Sequence, residues 1–456
     1  MNSSSSIFYE KSTNKLLLKF AVPSIISLLV GELYNMVDTL FVGRSIGAMA
    51  VGGLTVAFPI QRLIIALGLM VAVGVYTSVA RHLGEKNEEE IKNSITNSIS
   101  LIISIILTLT FFIYIFRDKI ILNLGASRSI FPYAKDYISI VIFGGIFQCL
   151  TVVYCHIMTA LGDTRINLKA TSLGAIANII IDYILVVNFN LGVKGAAIAT
   201  VVSQMGSFVY AYYYFNKKVR TRLNLKFKFT LEKAIVGSIV SVGFSTFIIE
   251  ISDAVVAFIL NNLLLTYGGE ESVIIFGLVT RVSMFLFITL IGISSAMQPI
   301  AAFNFGREDY KKVKDVVIST IKIAVISSLL CWLGMLIFSK NIMSLFVNES
   351  AILYDAAKIF KIVILVFPIV SVYYVAIYYY QAMGEAKSSF LLSIFRQIVV
   401  FIPLLLILMQ MFGTLGVWIA YPLSDIISGL TGIFFVKRGL DIEDKDDAFD
   451  YEVNEA

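Results

Sequence analysis

Residues 30–43 read VGELYNMVDTLFVG and place Glu32, Asn35 and Asp38 inside an otherwise apolar run that spans residues 16–42. In a water-soluble core such groups pair or reach the surface. In a lipid-spanning helix an ionisable side chain near the middle costs several kcal/mol and is usually kept for a function. The solvent around this stretch therefore decides both the fold and the purpose of its acids.

Composition identifies that solvent. Of the 456 residues 58% are hydrophobic and 15% charged, with a mean hydropathy of +0.86. Soluble domains average roughly 45–50% apolar and about 25% charged residues. The totals exclude an ordinary soluble domain and predict an all-α polytopic membrane protein. Cys149, Cys155 and Cys331 all lie in apolar runs and read as small buried hydrophobes rather than a disulfide framework. His82 and His156, the only histidines, are too few for an imidazole metal site. The polar start MNSSSSIFYEKSTNK has no apolar stretch followed by a small-residue cleavage site, so it does not read as a secretory signal. The end, DIEDKDDAFDYEVNEA, is acidic and predicts a disordered, solvated tail.

A membrane span needs about 20 mainly apolar residues. Twelve such stretches are present, at 16–42, 48–78, 94–116, 133–160, 166–188, 193–215, 235–266, 272–302, 317–338, 357–382, 389–410 and 414–436. Basic residues gather in alternate loops: Lys11 and Lys15, Arg81 and Lys86, Arg165 and Lys169, the run NKKVRTRLNLKFKFTLEK (216–233), Arg307 with Lys311, Lys387, and Lys437. The positive-inside rule then puts both termini in the cytoplasm.

The chain also resembles itself. SVARHLGEKNEEEIK (78–92) matches IAAFNFGREDYKKVK (300–314), YCHIMTALGDTR (154–165) matches AIYYYQAMGEAK (376–387), and NLGVKGAAIATVVS (190–203) matches MFGTLGVWIAYPLS (411–424). A shared offset of 221–222 residues marks a duplication. The predicted organisation is a cytoplasmic segment 1–15, an amino lobe 16–215, a basic linker 216–234, a carboxy lobe 235–436 and an acidic cytoplasmic tail 437–456. Six spans per lobe is an even number, so the lobes share one orientation and a substrate path between them is expected.

Helical spacing then sorts the intramembrane polar residues. At about 100° per residue, Gly31, Tyr34, Asn35 and Asp38 share one face of the first span. Asn178 and Asp182, four apart in the fifth, are neighbours, and Thr200 follows in the sixth. Asp38, Asn178, Asp182 and Thr200 lie at depths that allow them to converge. Their counterparts in the second half fall at or beside Leu260, Val400, Leu404 and Tyr421, none an acid or amide. A duplicated fold with a one-sided polar cluster favours function. The plainer readings stand beside it: a hydrogen-bonded acid pair for Asp38 and Asp182, and interhelical packing bonds for Asn178 and Thr200. Glu250 and Asp253 in the seventh span read either as a second ion site or as a structural pair with Arg281. Arg62 and Arg396 read as snorkelling or hydrogen-bonding bases. VYYVAIYYYQAMG is packing and anchoring, or a stacking wall for a substrate.

These residues carry a resemblance. AVPSIISLLVGELYNMVDTLFVGRSIGAMAVGGLTVAFPI, MTALGDTR with QAMGEAK, and the ANIIIDYILV to LGVKGAAIAT block resemble the MATE (multidrug and toxic compound extrusion) family, nearest its bacterial DinF-like and MepA-like branch. The resemblance covers nearly the whole chain outside the tails. It implies a V-shaped, two-lobed transporter of the cell inner membrane, working as a monomer without a cofactor. Such a transporter exports cationic organic compounds and confers drug resistance by antiport with Na⁺ or H⁺. It also implies a cation site at Asp38, Asn178, Asp182 and Thr200, bending of the first helix that involves Pro23 and the Tyr34 beside Asp38, and a pathway role for Glu250. Glu32 departs from the family pattern, and the acid that one branch carries in the tenth span has no counterpart within 357–381. Sodium and protons are alternatives for the same carboxylate oxygens. The rival reading is a flippase for lipid-linked oligosaccharide precursors, which needs a basic cavity that Arg62, Arg281 and Arg396 could line. Metalloprotease, nucleophile-elbow and P-loop motifs are absent from the sequence, so an enzyme, ATP drive or a nucleic-acid partner is not expected.

Overall fold

The computed structural model describes residues 5–345 and 350–454, with the side chains of Ser5, Asn35, Ala48, Ser350, Ala351 and 442–454 outside the described set. Every regular element among the described residues is helical. The first half carries α1 (Thr13–Ser45), α2 (Ala48–Gly84), α3 (Glu88–Asn123), α4 (Phe131–Ala160), α5 (Ile166–Asp182) and α6 (Gly192–Phe215). After α7 (Lys233–Phe305) come α8 (Tyr310–Ile337), the short α9 (Ser339–Met343), α10 (Ser350–Val363) and α11 (Phe367–Ala382). The chain ends with α12 (Ala386–Ile394), α13 (Ile402–Phe412) and α14 (Thr414–Asn454). π-helical turns prolong α5 over Tyr183–Asn188 and join α12 to α13 over Phe395–Phe401.

Among the described residues nine helices are long and apolar enough to cross a membrane, or ten when α10 and α11, bent by 53°, count as one span. α7 has 73 residues. At 1.5 Å per residue it would reach about 110 Å if straight, against a hydrocarbon core of about 30 Å. Gly269, at φ 69° and ψ −173°, breaks it into two spans, so the loop predicted at 267–271 shrinks to one residue. Adding α6, whose Lys194, Gln204 and tyrosines dilute its hydropathy, recovers the twelve predicted spans. The final helix runs to Asn454, through the acidic stretch for which composition predicts disorder. Asp, Glu and Lys without Gly or Pro do not stop a helix already nucleated upstream.

Spatially the chain forms two units. Unit 1 holds the residues up to Ile7 and Ile26–Phe247, and unit 2 holds Phe8–Ile25 and everything from Ile248. The boundaries fall inside α1 and α7, 222 residues apart, rather than in the basic 216–234 stretch. That stretch is fastened to α3 within unit 1: Thr230 N–H donates to Ser100 Oγ (3.2 Å) and Glu232 N–H to Asn97 Oδ1 (2.7 Å).

The duplication is written in the backbone. Left-handed residues recur in pairs at the repeat offset: Gly47 and Gly269, Lys86 and Glu308, Gly162 and Gly384, Gly192 and Gly413. Lys86 and Glu308 have φ of 59° and 60°, although neither is glycine. Each precedes a matching helix start, where Asn87 Oδ1 accepts from Glu90 N–H (3.2 Å) and Asp309 Oδ1 from Lys312 N–H (3.0 Å). Side-chain caps of this kind satisfy an orphan amide of the first turn.

In unit 1, α2 is the hub. Of its most apolar stretch 78% is buried, against 28% for α3, which therefore turns most of its surface to lipid. The beginning of α7 approaches α2 closely because Gly74 faces the Ile239 carbonyl and Gly243 faces the Met70 carbonyl. A Cβ at position 243 would run into that carbonyl, and backbone cannot shift aside as a side chain can. We expect Gly243→Ala to destabilise the protein by about 1–3 kcal/mol through overpacking. Gly237→Ala, where an added Cβ meets nothing within 4 Å, should stabilise by about 0.5–1 kcal/mol through helix propensity. Thermal melting of the two purified variants in detergent checks the opposite signs.

Candidate functional site

Unit 1 gathers the polar residues that the sequence singles out. Ser27 Oγ donates to Thr171 Oγ1 (3.1 Å) and ties α1 to α5. Asp38 and Asp182 each lie eleven residues farther along their helices. Eleven residues make close to three turns and about 16 Å of rise, so both carboxylates return to the tied face at one depth. The Asp38 carboxylate lies beside that of Asp182 and beside the Tyr137 hydroxyl. Asn178 sits one turn before Asp182, which closes α5 just where the π-helical turn begins. Turns of that kind are frequent at functional sites. Asn178 and Asp182 are 0% exposed, Thr200 1% and Asp38 7%, so none is a surface group.

The hydrogen bonds of this cluster do not close. Asp38 Oδ1, both oxygens of Asp182 and both amide atoms of Asn178 are buried without a hydrogen-bond partner among the described residues. Thr200 Oγ1 gives its proton to the Ala196 carbonyl (3.0 Å). Tyr137 accepts from Gln61 Nε2 (3.2 Å) and lies within reach of Thr200, so its one hydroxyl proton serves a cluster of acceptors. Among the described residues, the side chains that interact with the two acids include no base. Two unit charges about 4 Å apart repel by about 4 kcal/mol at an effective dielectric near 20. A buried pair at such range needs a proton or a cation between its members. Among the described residues no three His, Cys, Asp or Glu side chains gather as a multidentate metal site. The donor set is two carboxylates with neutral oxygens around them, an all-oxygen chemistry that suits a small, hard cation.

Tyr34, half-buried, stands near both carboxylates. The Asn35 side chain lies outside the described residues. Pro23 is buried inside an unbroken α1, two residues before the boundary between the units. Half-buried Arg62 lies over the Phe58 ring at 5.0 Å.

Unit 2 holds the other intramembrane acids and bases that the sequence singles out, Glu250, Asp253, Arg281 and Arg396. Arg281 is exposed and makes no salt bridge among the described residues, while Asp253 accepts a hydrogen bond from Gln397 Nε2. Glu250 is half-buried. The buried base here is Arg396, and its partner is Asp425, with Nε at 3.2 Å and Nη2 at 3.0 Å from one carboxylate oxygen. Sequence reasoning passed over Asp425, although an acid within YPLSDIISG, in the last span, is signal enough. Tyr137 and Gln61 gave no such signal, because a tyrosine on an apolar helix reads as packing.

The MatE family model matches residues 23–184 and 238–407. Multidrug export protein MepA of Staphylococcus haemolyticus (strain JCSC1435) is 26% identical over 430 residues, covering 94% of this chain and 94% of that protein. The protein of the same description from Staphylococcus aureus (strain bovine RF122 / ET3-1) is 24% identical over 431 residues, covering 94% and 95%. Among solved structures, the outward-facing conformation of a multidrug resistance MATE family transporter of the MOP superfamily matches with a TM-score of 0.92 at 23% identity, covering 98% of this chain and 99% of that one. The crystal structure of MATE in complex with MaL6 matches with a TM-score of 0.91 at 22% identity, covering 98% and 100%. At these identities the solved structures establish the fold.

Proposed function

The chain belongs to the MatE family, and from that premise we propose that it is a secondary active multidrug efflux transporter, exporting cationic organic compounds by antiport with Na⁺ or H⁺ through alternating access. The observation that carries this reading is the buried pair Asp38 and Asp182, with three of its own oxygens and both amide atoms of Asn178 unpartnered and no base interacting with it among the described residues. It works as a monomer in the plasma membrane, with both termini cytoplasmic and the six-helix lobes of the sequence as its functional halves.

The cation enters among Asp38, Asn178, Asp182 and Thr200 while the site faces outward. Its arrival satisfies the acceptor oxygens and draws α1 toward α5. Pro23 lacks the N–H that would bond the carbonyl four residues back, which makes α1 soft at that point. Repacking there weakens the hold on the organic substrate, and the ion is later released inward. Coupling requires that ion and substrate favour different states, since equal affinity for both shifts nothing. The flippase alternative loses its buried base, because Arg396 is already engaged by Asp425.

Proteoliposomes loaded with a fluorescent organic cation, given an imposed Na⁺ gradient and separately a pH gradient without ATP, test the reading. Faster efflux under either gradient is expected, and efflux indifferent to both would overturn it.

A further inference from the structure

Unit 2 answers the same electrostatic problem differently. The helices that hold Asn178, Asp182 and Thr200 in unit 1 are α5 and α6, and their repeat counterparts are α12 with α13, and α14. Val400, the counterpart of Asn178, lies one turn beyond Arg396, and Tyr421, the counterpart of Thr200, lies one turn before Asp425. Thus the duplicated helices again bury an acid, now on the counterpart of α6 rather than that of α5, but here a base comes with it.

The structure goes to some length to hold that base. In an α-helix the Arg396 N–H would donate to the Leu392 carbonyl. Instead the Tyr373 hydroxyl stands between them, accepting from Arg396 N–H (3.2 Å) and donating to the Leu392 carbonyl. The inserted hydroxyl opens the helix into its π-helical turn and redirects the side chain. Tyr373 can stand so close to α14 because Gly432 presents no Cβ to its backbone. Ser424 Oγ then donates to the Arg396 carbonyl (3.3 Å), fixing the turn from the neighbouring helix. At the far end, the guanidinium lies over Phe287 at 5.2 Å and Tyr374 at 5.9 Å, and Nη1 donates to the Tyr374 hydroxyl (3.5 Å). Ion pair, aromatic faces and phenol together keep the charge at Asp425. Side-chain exposures of 10% for Arg396 and 4% for Asp425 leave little room for water to share it.

We infer that Arg396 is a tethered cation, occupying at Asp425 the role that an exchangeable ion plays at Asp38 and Asp182, so that the Asp425 site stays neutral throughout the cycle and does not sense the ion gradient. The inference rests on the exchange reading of unit 1, but its central consequence does not. Removal of the tether leaves a buried carboxylate with oxygen and aromatic neighbours, which a small hard cation such as Na⁺ fills.

The test uses the purified full chain carrying Asp38→Asn and Asp182→Asn, which silences unit 1. Melting is followed in NaCl and in choline chloride at equal ionic strength. With Arg396 present, the melting temperature is the same in both salts. Arg396→Gln introduces a saturable, Na⁺-dependent rise of a few degrees, as for any ligand that binds only the folded state. Adding Asp425→Asn removes that rise, and Arg396→Lys, which keeps a tethered charge, never shows it. Equal melting of Arg396→Gln in both salts, or a rise that survives Asp425→Asn, overturns the proposal. Should Arg396→Gln fold poorly, recovery after purification in each salt gives the same answer: folded protein in NaCl alone supports the tether, and equal recovery refutes it. The readout is binding with the unit 1 acids removed, so its failure leaves the exchange reading standing.

Discussion

Replacing Asp38 and Asp182 together by Asn is expected to abolish gradient-driven efflux while leaving the protein folded and at least as stable. Each carboxylate gives the ion a charge-assisted contact of about 1.5 kcal/mol or more. At 1.4 kcal/mol per decade, losing two such contacts lowers ion affinity by about 100-fold. Stability moves the other way, because the substitution removes two like charges buried in one site, where Asp182 has both oxygens unpartnered. Asn retains the size of Asp, so the three-turn register from the Ser27–Thr171 bond to the site is undisturbed. Efflux from proteoliposomes under a Na⁺ gradient and under a pH gradient, set beside thermal melting, reads both effects. Transport equal to that of the unsubstituted chain would remove the acids from the coupling mechanism. Loss of transport together with loss of folding would instead make them a structural pair.

Much of this site is legible in the sequence because it depends on short-range geometry. Asn178 and Asp182 are neighbours by helical spacing alone, and the repeat reveals that the second half lacks their equivalents at the same positions. The turn glycines are legible for the same reason: Gly162 and Gly384 recur at the repeat offset and both adopt positive φ. What the sequence hides depends on contacts between distant residues. Tyr137 is one of 22 tyrosines, and only the packing of α4 against its neighbours brings its hydroxyl to Asp38. The Arg396–Asp425 pair joins residues 29 apart on two helices whose relative rotation is set partly by the Tyr373 hydroxyl inside the α12 hydrogen-bond ladder. An inserted side chain of that kind leaves no periodic trace. Comparison of the halves position by position also misses it, because the acid stands on the counterpart of α6 rather than that of α5. The boundaries of the units escape for a further reason. Composition changes most at 216–234, but tertiary contacts hold that stretch to α3 and divide α1 and α7 in their interiors.

Asn178→Leu separates the functional and packing readings of the amide one turn before Asp182, and it also separates the two coupling ions. Asn178 is fully buried, and both its amide atoms lack a protein partner. An unsatisfied buried polar group costs about 1–3 kcal/mol, and Leu fills a similar volume without that penalty. We therefore expect the variant to melt higher than the unsubstituted chain. For a sodium ion the amide oxygen is a ligand, and its loss removes about 1.5–3 kcal/mol, a fall of about 10- to 100-fold in Na⁺-driven efflux at limiting Na⁺. An amide takes up no proton near neutral pH, so efflux driven by a pH gradient should persist. A lower melting temperature would mean that Asn178 holds helices together. Na⁺-driven efflux that survives the change would restrict any Na⁺ site to Asp38, Asp182 and Thr200. Stability rising as ion-driven transport falls is the signature of a side chain buried for its ligand rather than for its neighbours, since a packing residue removed to the same effect would weaken the fold.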